Sequence, residues 1–295
     1  MDKMALIKEL RERTNAGMVD CKKALEESNW DIEKAITWLK SSGKIKAAKK
    51  AGRVSAEGMI AVASDSNTAV MVELNCETDF VAKNEDFTKL LNLIAETILA
   101  HSNVKNVEEA LKLTPAKSKE TLKDLIEEFT AKCGEKVELR RFEIIKAGKG
   151  EVISSFVHVN GQIAAVVKVK GADAESARNV AMHASAMKPE FIFIKDIPAE
   201  KLAQFEAEFV IPANFDKKPA NIQAMIKKGS LDKKIAEVTL EVQPFMMDDS
   251  KTINQYLSEH KNQLVEVIRY GVGEGVEKKE SDFAAEVAEQ MKSAQ

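Results

Sequence analysis

Residues 58–75 read GMIAVASDSNTAVMVELN. Two apolar, β-branched runs flank Asp65, Ser66 and Asn67, which are turn residues, so the stretch reads as strand, turn, strand. Val70, Val72, Leu74 and Cys76 recur at period two and place one face of the second strand toward a core. The chain continues ETDFVAKNEDF (77–87), and Phe87, Leu90, Leu91, Ile94 and Ile98 then follow at helical spacing.

The same order returns at 150–171, GEVISSFVHVNGQIAAVVKVKG. Asn160-Gly161 predicts the hairpin turn, and Ile163, Ala165, Val167 and Val169 share a face. A helix with Ala177, Val180, Ala181 and Ala184 runs up to Pro189. Strand-strand-helix twice over predicts an α+β fold whose core is two related antiparallel-sheet/helix subdomains. KVELRRFEII (136–145) is expected as a strand between them, and EVTLEVQPF (237–245) and LVEVIRY (264–270) are expected to complete the second sheet.

Around that core the chain is expected to divide as follows. Residues 1–43 form a three-helix N-terminal module, with Met4, Ile7 and Leu10 on one stripe and Gly43 as the stop. A basic linker spans 44–56, core subdomain N 57–147 and core subdomain C 148–270. Residues at about 199–235 are an inserted helical hairpin, and 271–295 are a C-terminal helical module with Phe283, Val287 and Met291 on one stripe. Pro212 and Pro219 interrupt the hairpin and predict a short or kinked first arm.

Composition narrows the function. Hydrophobic residues make up 44% of the 295 and charged residues 31%, as in a soluble globular protein. No apolar run approaches a membrane span, and MDKMALIKELRERT reads as a first helix and not as a signal peptide. Cys21, Cys76 and Cys133 lie far apart and are odd in number, which with the missing signal predicts a cytoplasmic protein; Cys21 and Cys76, on apolar faces, are expected to be buried and inert. The four histidines show no metal-ligand spacing, so no bound metal and no cofactor are expected.

Enzymatic constellations are missing. There is no phosphate-binding GxxxxGK[ST] and no nucleophile elbow. GVGEG (271–275) follows a strand but lacks dinucleotide-binding spacing, and reads as a flexible turn. His183, in VAMHASAM, is expected in a core, whereas His158 sits at a sheet end beside the hairpin glycine. Lys44, Lys46, Lys49, Lys50 and Arg53 form either a nucleic-acid patch or a solvated linker. The net charge of −3 and the absence of interleaved aromatics favour the linker, so no direct nucleic-acid partner is expected. Such a chain acts by binding.

One residue is out of place. At the strand-to-helix corner of the second repeat stands KVKGADAES, small and polar, whereas the first repeat carries Thr78, Asp79, Phe80 and Val81. Phe80 is either offered to a partner or staples its own helix, and the residues alone leave both open.

RERTNAGMVDCKKALEE, WDIEKAI, SGKIKAAKKAGR, NCETDFVAKN, AMHASAMKPEF, QPFMMDDSKTI and GVGEGVEKKESDFAAEV, in this order, resemble the bacterial elongation factor Ts family over nearly the whole chain. The resemblance implies a guanine-nucleotide exchange factor, not an enzyme in its own right, that binds elongation factor Tu both with GDP and free of nucleotide. It implies a ubiquitin-associated-like N-terminal module. It also implies that Thr78, Asp79, Phe80 and Val81 push toward the Mg²⁺ site of the GTPase, with His158 reaching to the same region. Arg11, Met18 and Val19 match positions that contact a helix of the GTPase domain, and the inserted hairpin a possible homodimer contact. Two other readings are a ubiquitin-associated-type adaptor, which leaves TDFV unexplained, and an RNA-binding protein using the basic stretch.

Overall fold

The computed structural model describes residues 2–14 and 16–277, so the terminal helix expected from Ser281 lies outside the described residues. The described residues form two compact units, one holding those up to Ile60, Val72–Phe142 and 271–277, the other Ala61–Met71 and Glu143–Tyr270.

The first unit begins with α1 (Lys3–Thr14), α2 (Met18–Glu27) and α3 (Ile32–Lys50). Ile7, Leu10, Cys21, Ala24, Leu25 and Ala35 form their common core, while Met4, predicted on the same stripe, is exposed. The turn into α3 uses Asn29 and Trp30 at positive φ, and the Asp31 carboxylate caps the helix by accepting from Lys34 N at 3.0 Å. The predicted stop at Gly43 does not occur, and α3 runs on through the first half of the expected linker to Lys50. Gly43 is buried, and a Cβ there would stand 3.3 Å from Ala131 Cβ. Its missing side chain is what lets α3 lie close against the later helix carrying Ala131, so the glycine serves packing and not termination.

Strands β1 (Glu57–Ser64) and β2 (Thr68–Cys76) form the first hairpin, and Asp65 closes its turn by accepting from Asn67 N and Thr68 N. Helices α4 (Asp79–Ala82), α5 (Glu85–Ala100), α6 (Val107–Leu111) and α7 (Leu122–Cys133) follow, then β3 (Glu138–Lys146), which pairs with β2. The sequence reading missed α6 and α7, which lie in a stretch it left unassigned.

The predicted inward face of β2 is buried, but so is the opposite one: every residue from Ala69 to Cys76 is inaccessible. That second face carries Glu73, fully buried, whose carboxylate takes Arg140 at 2.8 Å and Arg141 at 2.5 Å. Gly273 N–H adds a third donor at 2.9 Å, Arg140 also donates to Glu274 O, and Arg141 donates to Gly271 O. GVGEG is a turn, as expected, and its backbone is tied over a buried charge. Gly273 has φ +72, and any Cβ there would meet Ala56 O at 2.4 Å, so only glycine fits.

In the second unit β4 (Glu151–Val157) pairs antiparallel with β5 (Ile163–Lys170), Val157 opposite Ala164 and Glu151 opposite Lys170. Then come α8 (Ala174–Met187), α9 (Ala199–Ala207), α10 (Ala220–Val238), β6 (Pro244–Phe245), β7 (Asp248–Thr252), α11 (Ile253–Glu259) and β8 (Gln263–Gly271). The sheet order is β4-β5-β8, so LVEVIRY joins it as predicted. EVTLEVQPF does not: it forms the end of α10, a 3-10 turn and a two-residue strand paired with β7. The first arm of the hairpin, α9, ends at Ala207, short of Pro212. Residues 208–219 then link it to α10 through a 3-10 turn at Phe215–Lys217, with Phe209 and Phe215 ring to ring at 5.6 Å.

Val167, Val169, Val180, Leu240, Phe245 and Leu257 make the core of this unit, with His183 buried beside them. His183 Nε2 faces Gln243 Oε1 at 3.0 Å, and Nδ1 accepts from Met246 N at 3.2 Å, a pattern that requires the neutral ring. Burial holds its pKa below the ordinary value near 6.5, with the Gln243 contact opposing. The folded state thus binds fewer protons than the unfolded one. The contribution is complete above pH 6.5 and is lost as the pH falls through the depressed folded pKa. Stability against urea should accordingly fall from pH 7 to pH 5, and His183→Gln should flatten that part of the profile; an identical slope in the variant would contradict this assignment.

Candidate partner-binding site

β2 ends at Cys76, whose thiol donates to Thr78 O at 3.1 Å. Burial pushes that thiol up to about 12, and burial raises Cys21 and Cys133 as well, so all three are protonated and unreactive near neutrality. Thr78 is extended and acts as N-cap of α4, its Oγ1 accepting from Val81 N at 3.4 Å. Its own donors go elsewhere: Thr78 N–H reaches Glu135 Oε2 at 2.9 Å and its hydroxyl reaches Glu135 Oε1 at 2.6 Å. Beside it, Glu77 accepts from Lys136 N at 2.6 Å and from Arg53 at 3.2 Å.

Helix α4 is a single turn, closed by bonds from Ala82 N to Thr78 O and from Lys83 N to Asp79 O. Ala82 is buried and Val81 half-buried, so that side of the turn faces inward. Phe80 points the other way and is 83% exposed. The structure does not support the staple reading, because the ring is left uncovered among the described residues. Asp79 is bound by Lys83 at 2.6 Å, and that hydrogen bond holds its carboxyl below the usual range. Asn84 then caps α5 through Asp86 N, which separates the corner from the long helix the sequence pattern had suggested.

The remaining predicted residues are exposed. Arg11 is exposed on α1, and Met18 and Val19 open α2, with Val19 81% exposed. In the second unit His158 lies in the β4–β5 loop, its Nδ1 2.8 Å from Asn160 Oδ1. Pairing persists to His158 N and Ile163 O, so the loop is longer than a two-residue turn. Val159 projects from it, 95% exposed, and the sequence reading did not single it out.

Among the described residues no group of three or more His, Cys, Asp or Glu side chains could hold a metal, and no helix is long and apolar enough to cross a membrane. A family model described as Elongation factor TS matches residues 77–274, from the Glu77 corner through the Glu274 turn. The chain belongs to the elongation factor Ts family. It is similar to proteins named Elongation factor Ts from Mycoplasmopsis agalactiae, 59% identical over 99% of both chains, and Mycoplasmopsis synoviae, 46% identical over 99% of both. One from Levilactobacillus brevis is 43% identical over 97% of both. Membership of this family makes the chain a translation elongation factor.

Proposed function

We propose that this translation factor promotes release of GDP from elongation factor Tu by offering Phe80 to a pocket that exists only when the GTPase's nucleotide site is distorted. The observation that carries the reading is a large apolar ring, 83% exposed, on a corner held firmly at its base. Burial of such a ring is worth about 1.5–3 kcal/mol. If the partner provides that burial only in its nucleotide-poor state, the gain favours that state.

GTPases hold nucleotide through backbone donors and through Mg²⁺ bridging protein and phosphate oxygens. Mg²⁺ tolerates little departure from octahedral geometry, so a small displacement of its ligands weakens the whole assembly. By linkage, a protein that weakens nucleotide binding is weakened by nucleotide to the same factor, so incoming GTP releases the factor. Thr78 and Val81 brace the corner, Asp79 sits beside the ring, and His158, Arg11, Met18 and Val19 widen the contact. The protein acts by binding, and no cofactor enters the scheme.

Stopped-flow release of labelled GDP from elongation factor Tu, with and without this protein, tests the reading: strong acceleration is expected, and an unchanged rate would end it. Asp79→Ala should cost less than loss of the ring and should be most damaging at high Mg²⁺. An equal loss at all Mg²⁺ concentrations would place Asp79 away from the ion.

A further inference from the structure

We propose that Glu135 is a positioning residue for Phe80, its carboxylate holding the α4 corner in the conformation that turns the ring outward. The role rests on the exchange reading above. A four-residue helix does not hold itself, since nucleation fixes several dihedrals for one hydrogen bond and isolated helices below about 12 residues are marginal. Burial of Ala82 anchors the far end of α4, but its first closing bond begins at Thr78 O, so the near end, which carries Phe80, is fixed through Thr78. The sheet does not fix it, because β2 stops at Cys76.

Glu135 does, from 57 residues along the chain, by accepting both donors of Thr78 at 2.9 and 2.6 Å. The hydroxyl, engaged as a donor to Glu135, is thereby oriented to accept from Val81 N. Gly134, at φ +81, ends α7 and turns the chain so that Glu135 and Lys136 both meet the end of β2. Glu135 N–H is itself directed at Cys133 Sγ at 3.4 Å. The carboxylate is half-buried, so removing it strands no deeply buried charge. Loss of Glu135 should therefore lower the fraction of molecules that present the ring and leave the two units folded. Apparent affinity falls in proportion to that fraction.

The test compares Glu135→Ala and Glu135→Gln, each in the native and the Phe80→Ala background, by amide hydrogen exchange and by GDP release from elongation factor Tu. In Glu135→Ala the amides of Ala82, Lys83 and Asn84 should exchange about tenfold faster while those of β2 are unchanged. GDP release at limiting protein should slow about fivefold to tenfold, and recover as its concentration is raised, as a population effect requires. Glu135→Gln, which keeps one acceptor oxygen, should recover part of both effects. In the Phe80→Ala background the further slowing should be small, no larger than that of Asp79→Ala, because most of the effect acts through the ring. Unaltered α4 amides, equal slowing in both backgrounds, or loss of β2 protection would each overturn the positioning role. If Phe80→Ala itself leaves GDP release unchanged, the exchange reading fails, and with it the role assigned here, whatever the amides show.

Discussion

Phe80→Ala is expected to slow catalysed GDP release by about tenfold to a hundredfold while leaving the thermal midpoint where it was. The range follows from burying a phenylalanine, about 1.5–3 kcal/mol, at roughly tenfold per 1.4 kcal/mol. The stability half follows from exposure. A ring 83% open to water makes little cohesive contribution to its own chain, so removing it leaves no cavity. Thr78, Ala82 and the α4 backbone bonds are untouched by the change. A thousandfold acceleration needs about 4 kcal/mol, so the variant should retain residual activity from the wider contact. Full activity in the variant, or a lowered thermal midpoint, would show that the ring has a different task.

Glu73→Ala should be the most destabilising single change in the first unit, by about 3 kcal/mol, the low end for breaking a buried ion pair by removing one partner. Glu73 is fully buried and is shared by Arg140, Arg141 and the amide of Gly273. Without it the Arg140 guanidinium, 22% exposed, loses its ion pair, the Arg141 guanidinium, 32% exposed, loses the pair at 2.5 Å, and a backbone donor loses its acceptor. Equilibrium urea unfolding reads this directly. Glu274→Ala, which removes a carboxylate 31% exposed and 4.0 Å from Arg141, should cost well under half as much. Comparable losses from both would mean that the energy lies in the loop and not in the buried charge.

The repeat was legible in the sequence because period-two alternation and helical spacing survive in single strands and helices. Strands β1, β2, β4 and β5 and helices α5 and α8 fall where those patterns place them. What failed was whatever depends on a neighbour distant in sequence. Gly43 looks like a stop until α7 packs on it so closely that a Cβ there would stand 3.3 Å from Ala131 Cβ. Glu73 looks like a solvent-facing residue of an alternating strand until two arginines from β3 reach it. EVTLEVQPF has strand composition, yet its backbone is taken up by α10 and a 3-10 turn.

The candidate site divides the same way. Phe80 could be singled out because the second repeat supplies an internal control, KVKGADAES, in which no aromatic stands at the corner. Glu135 could not, because its two bonds to Thr78 cross 57 residues and no spacing rule connects them. Val159 carried no signal, since a valine beside a hairpin turn is ordinary composition and only its exposure sets it apart.

The central claim is that Phe80 gains its burial only against a partner that has released nucleotide. Binding of the native protein and of Phe80→Ala should therefore be measured against elongation factor Tu both nucleotide-free and loaded with GDP. The account predicts that the substitution weakens the nucleotide-free complex about tenfold to a hundredfold and leaves affinity for the GDP-bound form nearly unchanged. Equal weakening of both complexes would contradict it, because a ring buried alike in the two states cannot drive one toward the other.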